Sequence, residues 1–571
     1  MNFWVEFIKL GKHVGKTGGQ VVYDTIKQHT NTIFAYSGGA VLPYLDKFHN
    51  SDIKVISNVT EQCVGHSCIG YSRSSFKPKI SFSLTTSGPG ITNMVTPMQD
   101  ALSDGIPMIC LSGQVGRKSI GTEAFQECDA VNITKGCTKW NKLVKDVNEL
   151  PFSLMYGITC ALTPPYGPVH IDLPKDIAMD VIEKISIYDV DDDYMHEEYM
   201  NYNIDFYMNM IEESKKPLII AGAGAKSGYE SVRRVQSKFN IPVCGTLHGL
   251  GVVDERDELS LKMCGMHGNA ATNYLIQESD LLIGLGNRFD DRTTGVLDKY
   301  APNANKIHIN IDNGQLNRVV DSVNYNGDVG EFCDKLLYYD FINENTEWIK
   351  RVEDMKDKYK FKADEKLDVP YVIDEINSYI RYNDISPTFF TGVGNHQMFC
   401  AQYIDWTRPN QMISSGSLGV MGVGLPYAIG YGCNKIDETL ILIDGDGSFN
   451  MTYNDLRTLM DNNIPLKIFI MNDGRKQMVH VWQELFYENR IITTKHINPK
   501  YEYISKAFDI PYIRINDVRD LRENMDKIFG YDSVIVDCGV MPGYCYPLVP
   551  PGKGLDEMIL NKTKLDGDAP C

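Results

Sequence analysis

Residues 439–473 read TLILIDGDGSFNMTYNDLRTLMDNNIPLKIFIMND. Two apolar runs, LILI and LKIFIM, stop at acids, amides and glycines, and the segment between them has the pattern of one helix. That is the grammar of a βαβ unit, whose right-handed crossover makes both parallel strands end on the same side of the sheet. Gly445-Asp446-Gly447 and Asn472-Asp473 are therefore expected at neighbouring carboxyl ends, where open α/β sheets bind ligands. Glycines on both sides of Asp446 let the backbone approach a bulky anion. The amides opening the next helix face that anion too. Asp446 and Asp473 offer hard oxygen donors suited to Mg2+, which would bridge to phosphate oxygens. GDG alone also reads as a turn beside a solvated acid. With the second edge in register, the pair reads as a clamp for a metal diphosphate.

The same grammar recurs at residues 80–113, ISFSLTTSGPGITNMVTPMQDALSDGIPMICLSG. This repeat is either the common likeness of any two βαβ units or a duplicated pair of domains sharing a ligand. Between them, KKPLIIAGAGAKSGYESVRRV gives a strand, a glycine turn and a helix, and DLLIGLGNRFDDR and KIHINID give two more strands with polar ends. A lone GAGAK also serves plain packing; several such edges in one block point to a nucleotide-like ligand. Two charged stretches, DVDDDYMHEEYMN (189–201) and the solvated-helix pattern of 343–368, divide the chain. The expected architecture is α/β, with three doubly wound parallel-sheet domains at 14–185, 205–340 and 370–571.

The 571 residues are 43% hydrophobic and 23% charged, ordinary for a globular protein, and the net charge of −18 argues against nucleic-acid or membrane surfaces. No apolar run reaches the ~18–20 residues of a membrane span. The opening MNFWVEFIKLGKHVGK lacks a signal-peptide core and a transit-peptide composition, so a cytoplasmic location is expected. The 14 cysteines include no CxxC and no zinc spacing, and read as reduced thiols.

GDG followed by an Asn-rich edge resembles the thiamine diphosphate motif. YSGGAV (36–41), VTEQ (59–62), TTSGPGITN (85–93), SGQVGRKSIGTEAFQE (112–127) and GPVHIDLPKD (167–176) look like the pyrimidine-binding domain of acetohydroxyacid synthase, the acetolactate synthase family. GMHGNAATNY (265–274), RFDDRTTG (288–295) and INID (309–312) resemble its FAD-binding middle domain. VGNHQMF (393–399), SSGSLGVMGVGLPYAIG (414–430) and QMVHVWQE (477–484) resemble its diphosphate domain. The resemblance runs in family order from about residue 17 to PLVPPGKGLDEMI, which ends at residue 559.

The resemblance implies decarboxylation of pyruvate on thiamine diphosphate and condensation of the two-carbon unit with a second 2-keto acid, pyruvate or 2-ketobutyrate. That is the first step of branched-chain amino-acid biosynthesis. Glu61 would be the catalytic acid beside the pyrimidine nitrogen; an acid after a strand is otherwise a common solvated residue. Val393, Gly394, Asn395, His396, Met398, Gly419, Met421, Gly445, Gly447, Ser448 and Met478 would hold the cofactor, with Asp446, Asp473 and the carbonyl of Arg475 on Mg2+. Gly222, Gly224, Gly265, Met266, His267, Gly268, Gly286, Arg288, Asp290, Arg292, Asp312 and Asp328 would hold a redox-silent FAD. Gly38, Gln114, Phe125, Gln126, Lys175, Arg292 and Trp482 would line the substrate approach, although Arg292 could equally pair with Asp290 or Asp291. Family members act as homodimers or tetramers with the site at a subunit interface, some with a small regulatory subunit.

Four departures stand out. Pro165-Tyr166 replaces the family's Arg-Pro, removing one FAD contact; Asp473 replaces an Asn; Arg475 replaces a His. Gly116 stands where many members have Pro. Two other readings stay open: a related carboligase, decarboxylase or pyruvate oxidase, and a non-catalytic homologue that only binds. RFDDR, AFQE and Trp482 favour the synthase, and Glu61 argues against glyoxylate carboligase, which lacks that acid.

Overall fold

The alternation of apolar runs and helices forms three parallel sheets of six strands each in a computed structural model that describes residues 9–189, 200–341 and 345–561. The first holds β1 (Thr32–Ala35), β2 (Lys54–Ile56), β3 (Ser81–Thr85), β4 (Met108–Gln114), β5 (Trp140–Leu143) and β6 (Pro168–Pro174), in the order β2-β1-β3-β4-β6-β5. The second holds β7 (Pro217–Ala221), β8 (Val243–Gly245), β9 (Ser260–Met263), β10 (Leu281–Leu285), β11 (Asn305–Asn310) and β12 (Val323–Asn326), in the order β12-β11-β10-β7-β8-β9. The third holds β13 (Thr388–Thr391), β14 (Met412–Ile413), β15 (Leu440–Gly445), β16 (Lys467–Met471), β17 (Tyr512–Ile515) and β18 (Val534–Cys538), in the order β14-β13-β15-β16-β18-β17. Central strands such as β3, β4, β7, β10, β16 and β18 are buried along their whole length, which is why their sequences run apolar without alternation.

The outer sheets share one strand order, counted from the first strand of each. The repeat is therefore a duplicated topology and not a generic likeness. In both, a helix follows the second strand: Glu61–Ser72 and Gly424–Gly432. These equivalent helices cross backbone to backbone. A Cβ on Gly430 would stand 1.8 Å from Ser67 O, and one on Gly70 would stand 2.1 Å from Tyr427 O. One apolar cluster, with Val64, Ile69, Leu425 and Tyr427, spans the contact. The middle sheet has the dinucleotide-binding order, with its switch point between β7 and β10.

Two boundary readings change. The helix Thr346–Lys358, expected to be solvated, buries Trp348, Val352 and Met355 against the middle sheet, and Trp348 Nε1 donates to Pro217 O at 3.0 Å. Its charges gave it a polar average that hid an apolar stripe. The tail also returns to the middle sheet: Val549, Leu555 and Met558 share a cluster with Leu218 and Ile220. Of the acidic stretch at 189–201, residues 190–199 lie outside the described residues, as do residues 1–8 of the opening segment.

Candidate active site

β15 and β16 pair in parallel with Gly445 opposite Met471, so the two polar ends meet as expected. Asp446 opens the short helix Asp446–Phe449 and is 1% exposed. Its Oδ2 accepts three bonds: from Asp473 N at 3.1 Å, Gly474 N at 2.6 Å and Asn498 Nδ2 at 2.6 Å. Its Oδ1 is buried with no hydrogen-bond partner. The same is true of Asn395 Oδ1, His396 Nε2, both oxygens of Asp444, and Gln477 Oε1. Burying polar atoms unpaired costs roughly 1–3 kcal/mol each, so a group of them on one edge marks the place of a polar ligand.

Asp444 and His396 stand 3.2 Å apart under this edge. A Cβ on Gly392 would meet Ser448 Oγ at 2.0 Å and Asp444 Oδ1 at 2.2 Å, so only glycine fits there. Ser448 Oγ accepts from Gly422 N at 2.8 Å and so ties the DGDGS turn to the SSGSLGVMG loop. That loop holds Gly419 at a φ of +74°, in the left-handed region that glycine tolerates. Met421 and Met478 are half-buried beside the edge, and Met398 packs against the third sheet's core. Val393 and Gly394 open the helix Asn395–Tyr403.

Asp473 turns its Oδ1 to Arg475 N at 3.0 Å. Burial, with Asp446 as a second cause, pushes its carboxyl up to about 7. Arg475 sends its guanidinium to His480 Nε2 at 3.2 Å, leaving only its backbone for a metal. Among the described residues, no three His, Cys, Asp or Glu side chains converge closely enough to hold an ion. An ion here would complete its shell with backbone and ligand oxygens.

In the first sheet, Glu61 is the first residue of its helix, capped by Thr60, and is 8% exposed. Asn93 Nδ2 donates to Glu61 Oε2 at 3.0 Å. At the end of β4, Gln114 Nε2 donates to Asp172 Oδ2 at 2.9 Å and to Cys128 O at 2.9 Å. Ser112 Oγ donates to Asp172 Oδ1 at 2.6 Å and meets His170 Nε2 at 2.7 Å. Burial pushes Asp172 up to about 7. Gln126 has a φ of +62° and packs on Gly88, Phe125 is 87% exposed, and Lys175 is exposed with its N–H on Gln114 O. Gly38 packs on Thr86, which a Cβ would meet at 2.4 Å. Trp482, half-buried, makes an edge contact with Phe486 on the helix after the metal edge.

The middle-block glycines have a reason the sequence reading did not give. A Cβ on Gly222 would stand 2.4 Å from Gly286 O, and Gly224 N–H donates to Gly286 O at 3.0 Å. The two turns need glycine to pack on each other. Gly265, at a φ of +99°, packs against Arg292 O, and Gly268 packs on Cys264. Met266 exchanges backbone bonds with Arg292 and Val549, and His267 sits 3.2 Å from Cys545 O. Asp290, Asp312 and Asp328 each cap a following helical turn. Arg288 reaches across to Ser103 O at 2.8 Å and Ser417 Oγ at 2.6 Å. Arg292 lies 3.9 Å from Asp291 and donates to Met266 Sδ at 3.0 Å, so in this structure the carboxylate pairing is a long one. Asn287, at the end of β10, is buried with both amide atoms unpartnered.

Sequence reasoning missed Asn93, Asp172, Asp444, His496 and Asn498. Asn93 and Asp172 lay inside quoted motifs without any signal of their own, and Asn498 is drawn in by a return of the chain.

Comparison with known proteins follows the three sheets. Three family descriptions match in chain order: "Thiamine pyrophosphate enzyme, N-terminal TPP binding domain" over residues 16–133, the "central domain" over 204–336, and the "C-terminal TPP binding domain" over 392–538. Similar proteins include the acetolactate synthase catalytic subunit, mitochondrial, of Saccharomyces cerevisiae, 37% identical over 96% of this chain and 84% of that one. The acetolactate synthase large subunit of Lactococcus lactis is 34% identical over 97% of both chains. The isozyme 2 large subunit of Escherichia coli is 33% identical over 94% of this chain and 98% of its own. Likeness at this level, end to end and across all three sheets, places the chain in the acetolactate synthase catalytic-subunit family of thiamine pyrophosphate enzymes.

Proposed function

We propose that the protein is an acetolactate synthase: it decarboxylates pyruvate and joins the two-carbon unit to pyruvate or 2-ketobutyrate. The observation that carries this reading is the row of buried, unpartnered polar atoms at the third sheet's edge, Asp446 Oδ1 foremost. These residues fit thiamine diphosphate with a divalent ion. The cofactor supplies a carbon nucleophile and an electron sink for decarboxylation. Asp446, Asp473 and the Arg475 carbonyl would hold the ion. Ser448, Gly447 and the first turn of Asn395–Tyr403, with Val393, Gly394, Asn395 and His396, would hold the diphosphate. Gly419 and Met421 would meet the pyrimidine through their backbone, with Met398 and Met478 against the rings.

Glu61 would share a proton with the pyrimidine nitrogen, and Asn93, which donates to its Oε2, would hold the carboxylate in place. Gln114, held by Asp172, and Lys175 would orient the first keto acid; Gly38, Phe125 and Gln126 would bound its approach. Arg292 would leave its long pairing with Asp291 to grip the second substrate's carboxylate, a two-pronged interaction. Trp482 would shape the acceptor pocket.

For a flavin, the residues also fit. The middle sheet has the dinucleotide order, Asn287 holds two buried unpartnered amide atoms at the switch point, and Ala223 and Gly224 are exposed at its rim. Arg288, Asp312 and Asp328 line the same carboxyl edge. Pro165 leaves this chain without the Arg that the family resemblance places on the flavin. The FAD would be redox-silent, because the synthase reaction transfers no net electrons. Flavin bands surviving desalting, and unbleached by pyruvate, test this.

The working unit would be a homo-oligomer. Phe125, Met451, Val479 and Ile497 are exposed apolar residues around the two outer edges, as a subunit-shared site requires. A small regulatory subunit is the further partner implied by relatives named catalytic or large subunits. The cytoplasmic location stays an expectation from the opening segment. No helix among the described residues is long and apolar enough to cross a membrane, and the yeast relative is named mitochondrial.

The deciding experiment incubates the purified protein with pyruvate, thiamine diphosphate and a divalent ion, with and without 2-ketobutyrate, and identifies the products. Condensed 2-hydroxy-3-keto acids, carrying a 2-methyl group with pyruvate as acceptor and a 2-ethyl group with 2-ketobutyrate, support the reading. Acetaldehyde or acetate alone would replace it with the decarboxylase or oxidase reading, and no turnover with cofactor bound would favour a binding protein.

A further inference from the structure

Residues 414–420 of the third domain, SSGSLGV, form a loop that is buried at Ser414 and Ser415 and exposed from Ser417 to Gly419. The proposed function places the pyrimidine against that exposed end. The buried base is gripped from the first domain, by one helix. Asp100 and Asp104 stand one turn apart on the helix Val95–Asp104, so both carboxylates leave the same face. Both side chains are buried. Asp104 takes the near half of the loop: its Oδ1 accepts from Ser417 N at 3.1 Å and its Oδ2 from Gly416 N at 3.3 Å. Arg73 completes this grip, donating to Asp104 Oδ2 and to Ser414 O at 2.6 Å each. His248 of the middle domain stands 3.0 Å from the same Oδ2. Asp104 is therefore shared among all three domains and anchors the frame.

Asp100 reaches the far half through a relay. Ser415 Oγ donates its only proton to Asp100 Oδ1 at 2.6 Å. That turns both of its lone pairs to the loop, where it accepts from Gly419 N and from Val420 N at 3.1 Å each. A hydroxyl has one donor and two acceptor sites, so the set is complete. Without Asp100 the Ser415 proton would need another acceptor, and turning towards one would take the lone pairs off the two amides. Those amides flank the Cα of Gly419, whose φ of +74° makes the left-handed turn at the loop tip. The other oxygen of Asp100 accepts from Tyr427 OH, on the helix Gly424–Gly432. His66 Nδ1 lies 3.7 Å from that oxygen and makes no hydrogen bond.

We infer that Asp100 is a positioning residue for the cofactor: through the Ser415 hydroxyl it holds the turn at Gly419 in the form that receives the pyrimidine. The inference rests on the thiamine diphosphate reading of this loop. A loop already in its binding form spares the ligand the cost of ordering it. If the loop is released, only a fraction of molecules is competent and apparent affinity falls by that fraction. Saturating cofactor then restores the loop, and turnover with it. The signature is a loss of cofactor affinity at nearly constant kcat.

The test uses the full chain as wild type, Asp100→Ala, Asp100→Asn, Ser415→Ala and Tyr427→Phe. Hydrogen–deuterium exchange reads the peptide covering residues 414–421 without ligand. A titration with thiamine diphosphate and Mg2+ reads affinity, with kcat taken at saturation. In Asp100→Ala and Ser415→Ala the loop amides should exchange ~10-fold faster or more. Thiamine diphosphate affinity should fall ~10-fold in both, with kcat within ~3-fold of wild type. Asp100→Asn keeps an oxygen for Ser415 and offers an NH2 to the Tyr427 oxygen, so both readouts should stay within ~3-fold of wild type. Tyr427→Phe strips Asp100 of its other partner but leaves the relay, and should lower the melting temperature without moving either readout. Wild-type exchange and affinity in both Asp100→Ala and Ser415→Ala would overturn the inference. So would a loss in Tyr427→Phe equal to that in Asp100→Ala, which would make the role merely structural. Ser415→Ala decides alone if Asp100→Ala does not fold. Failure of thiamine diphosphate to bind wild type would overturn the proposed function, while the ligand-free exchange still decides whether Asp100 holds the loop.

Discussion

The first and third sheets share one strand order and meet through equivalent helices, yet their carboxyl edges are finished differently. At the end of β4 and β6 the polar groups close on one another: Gln114 on Asp172, Asp172 on Ser112, Ser112 on His170, His170 on Thr134. At the ends of β13 and β15 a row stays open, with Asp446 Oδ1, Asn395 Oδ1 and His396 Nε2 buried and unpaired, whereas the ends of β2 and β3 leave single atoms, Asn58 Oδ1 and Thr86 Oγ1. A satisfied network rigidifies its surroundings; an unsatisfied one costs stability until a ligand completes it. The duplicated topology supplies two edges, and under the proposed function the one with the unsatisfied row would hold the ligand while the other would shape the approach to it.

The comparison breaks most visibly at Asp446. Asp446→Ala removes the open edge's central carboxylate and frees Asn498 and the amides of residues 473 and 474. Turnover is expected to fall ~10³-fold or more, and metal-dependent thiamine diphosphate binding to be lost in a titration. Binding at the wild-type level would mean that the open edge is not the cofactor site.

The next effect belongs to the first sheet. Glu61→Gln keeps the shape and the Asn93 contact region but cannot carry the proton. Turnover should fall ~10²-fold or more while cofactor binding and melting temperature hold. If product forms at the wild-type rate, the acid–base role of Glu61 is wrong.

Asp473 links the two kinds of edge, because it is an acid in the open one whose burial keeps it up to about 7. The ion and the proton compete for it. Below about pH 7 apparent Mg2+ affinity is expected to fall, by up to ~10-fold per unit, while above it affinity levels off. Asp473→Asn, which has no proton to displace, should flatten that profile. A calorimetric Mg2+ titration at pH 5, 6 and 8 checks it, and equal slopes for both proteins would put Asp473 outside the metal shell.

Much of this arrangement is legible in the sequence, for physical reasons that also explain what is not. GDG and Asn472-Asp473 are found because each closes an apolar strand, and one helix fixes their distance. The duplication shows because strand–glycine–helix grammar is local. His496 and Asn498 are invisible because an irregular strap brings them back to Asp446, and straps have no periodicity. Gly222 and Gly286 look like ligand glycines in sequence, since close backbone approach has the same residue signature whether the neighbour is a diphosphate or another turn. The helix Thr346–Lys358 reads as solvated because its apolar residues, Trp348, Ile349, Val352 and Met355, stand among many charges.

The smallest effect on turnover, and the sharpest on the comparison, is expected at Asp172 in the closed edge. Burial raises its carboxyl to about 7, above the ~3.9 of an unfolded Asp. Between these values the folded protein binds a proton that the unfolded chain has released. Folding stability should therefore be fully present below about pH 4 and decline as pH rises to about 7, by a few kcal/mol at most. Asp172→Asn mimics the protonated acid. Its amide oxygen can accept from Gln114, its NH2 can donate to Ser112 Oγ, and Ser112 can still donate to His170. The variant should match wild type near pH 4 and be the more stable protein at pH 8, with turnover changed by less than ~10-fold because Gln114 keeps its anchor. Urea unfolding at the two pH values gives the answer. A stability difference that is the same at both would mean that Asp172 is ionised in the folded protein, and that the closed edge is held by charge and not by a shared proton.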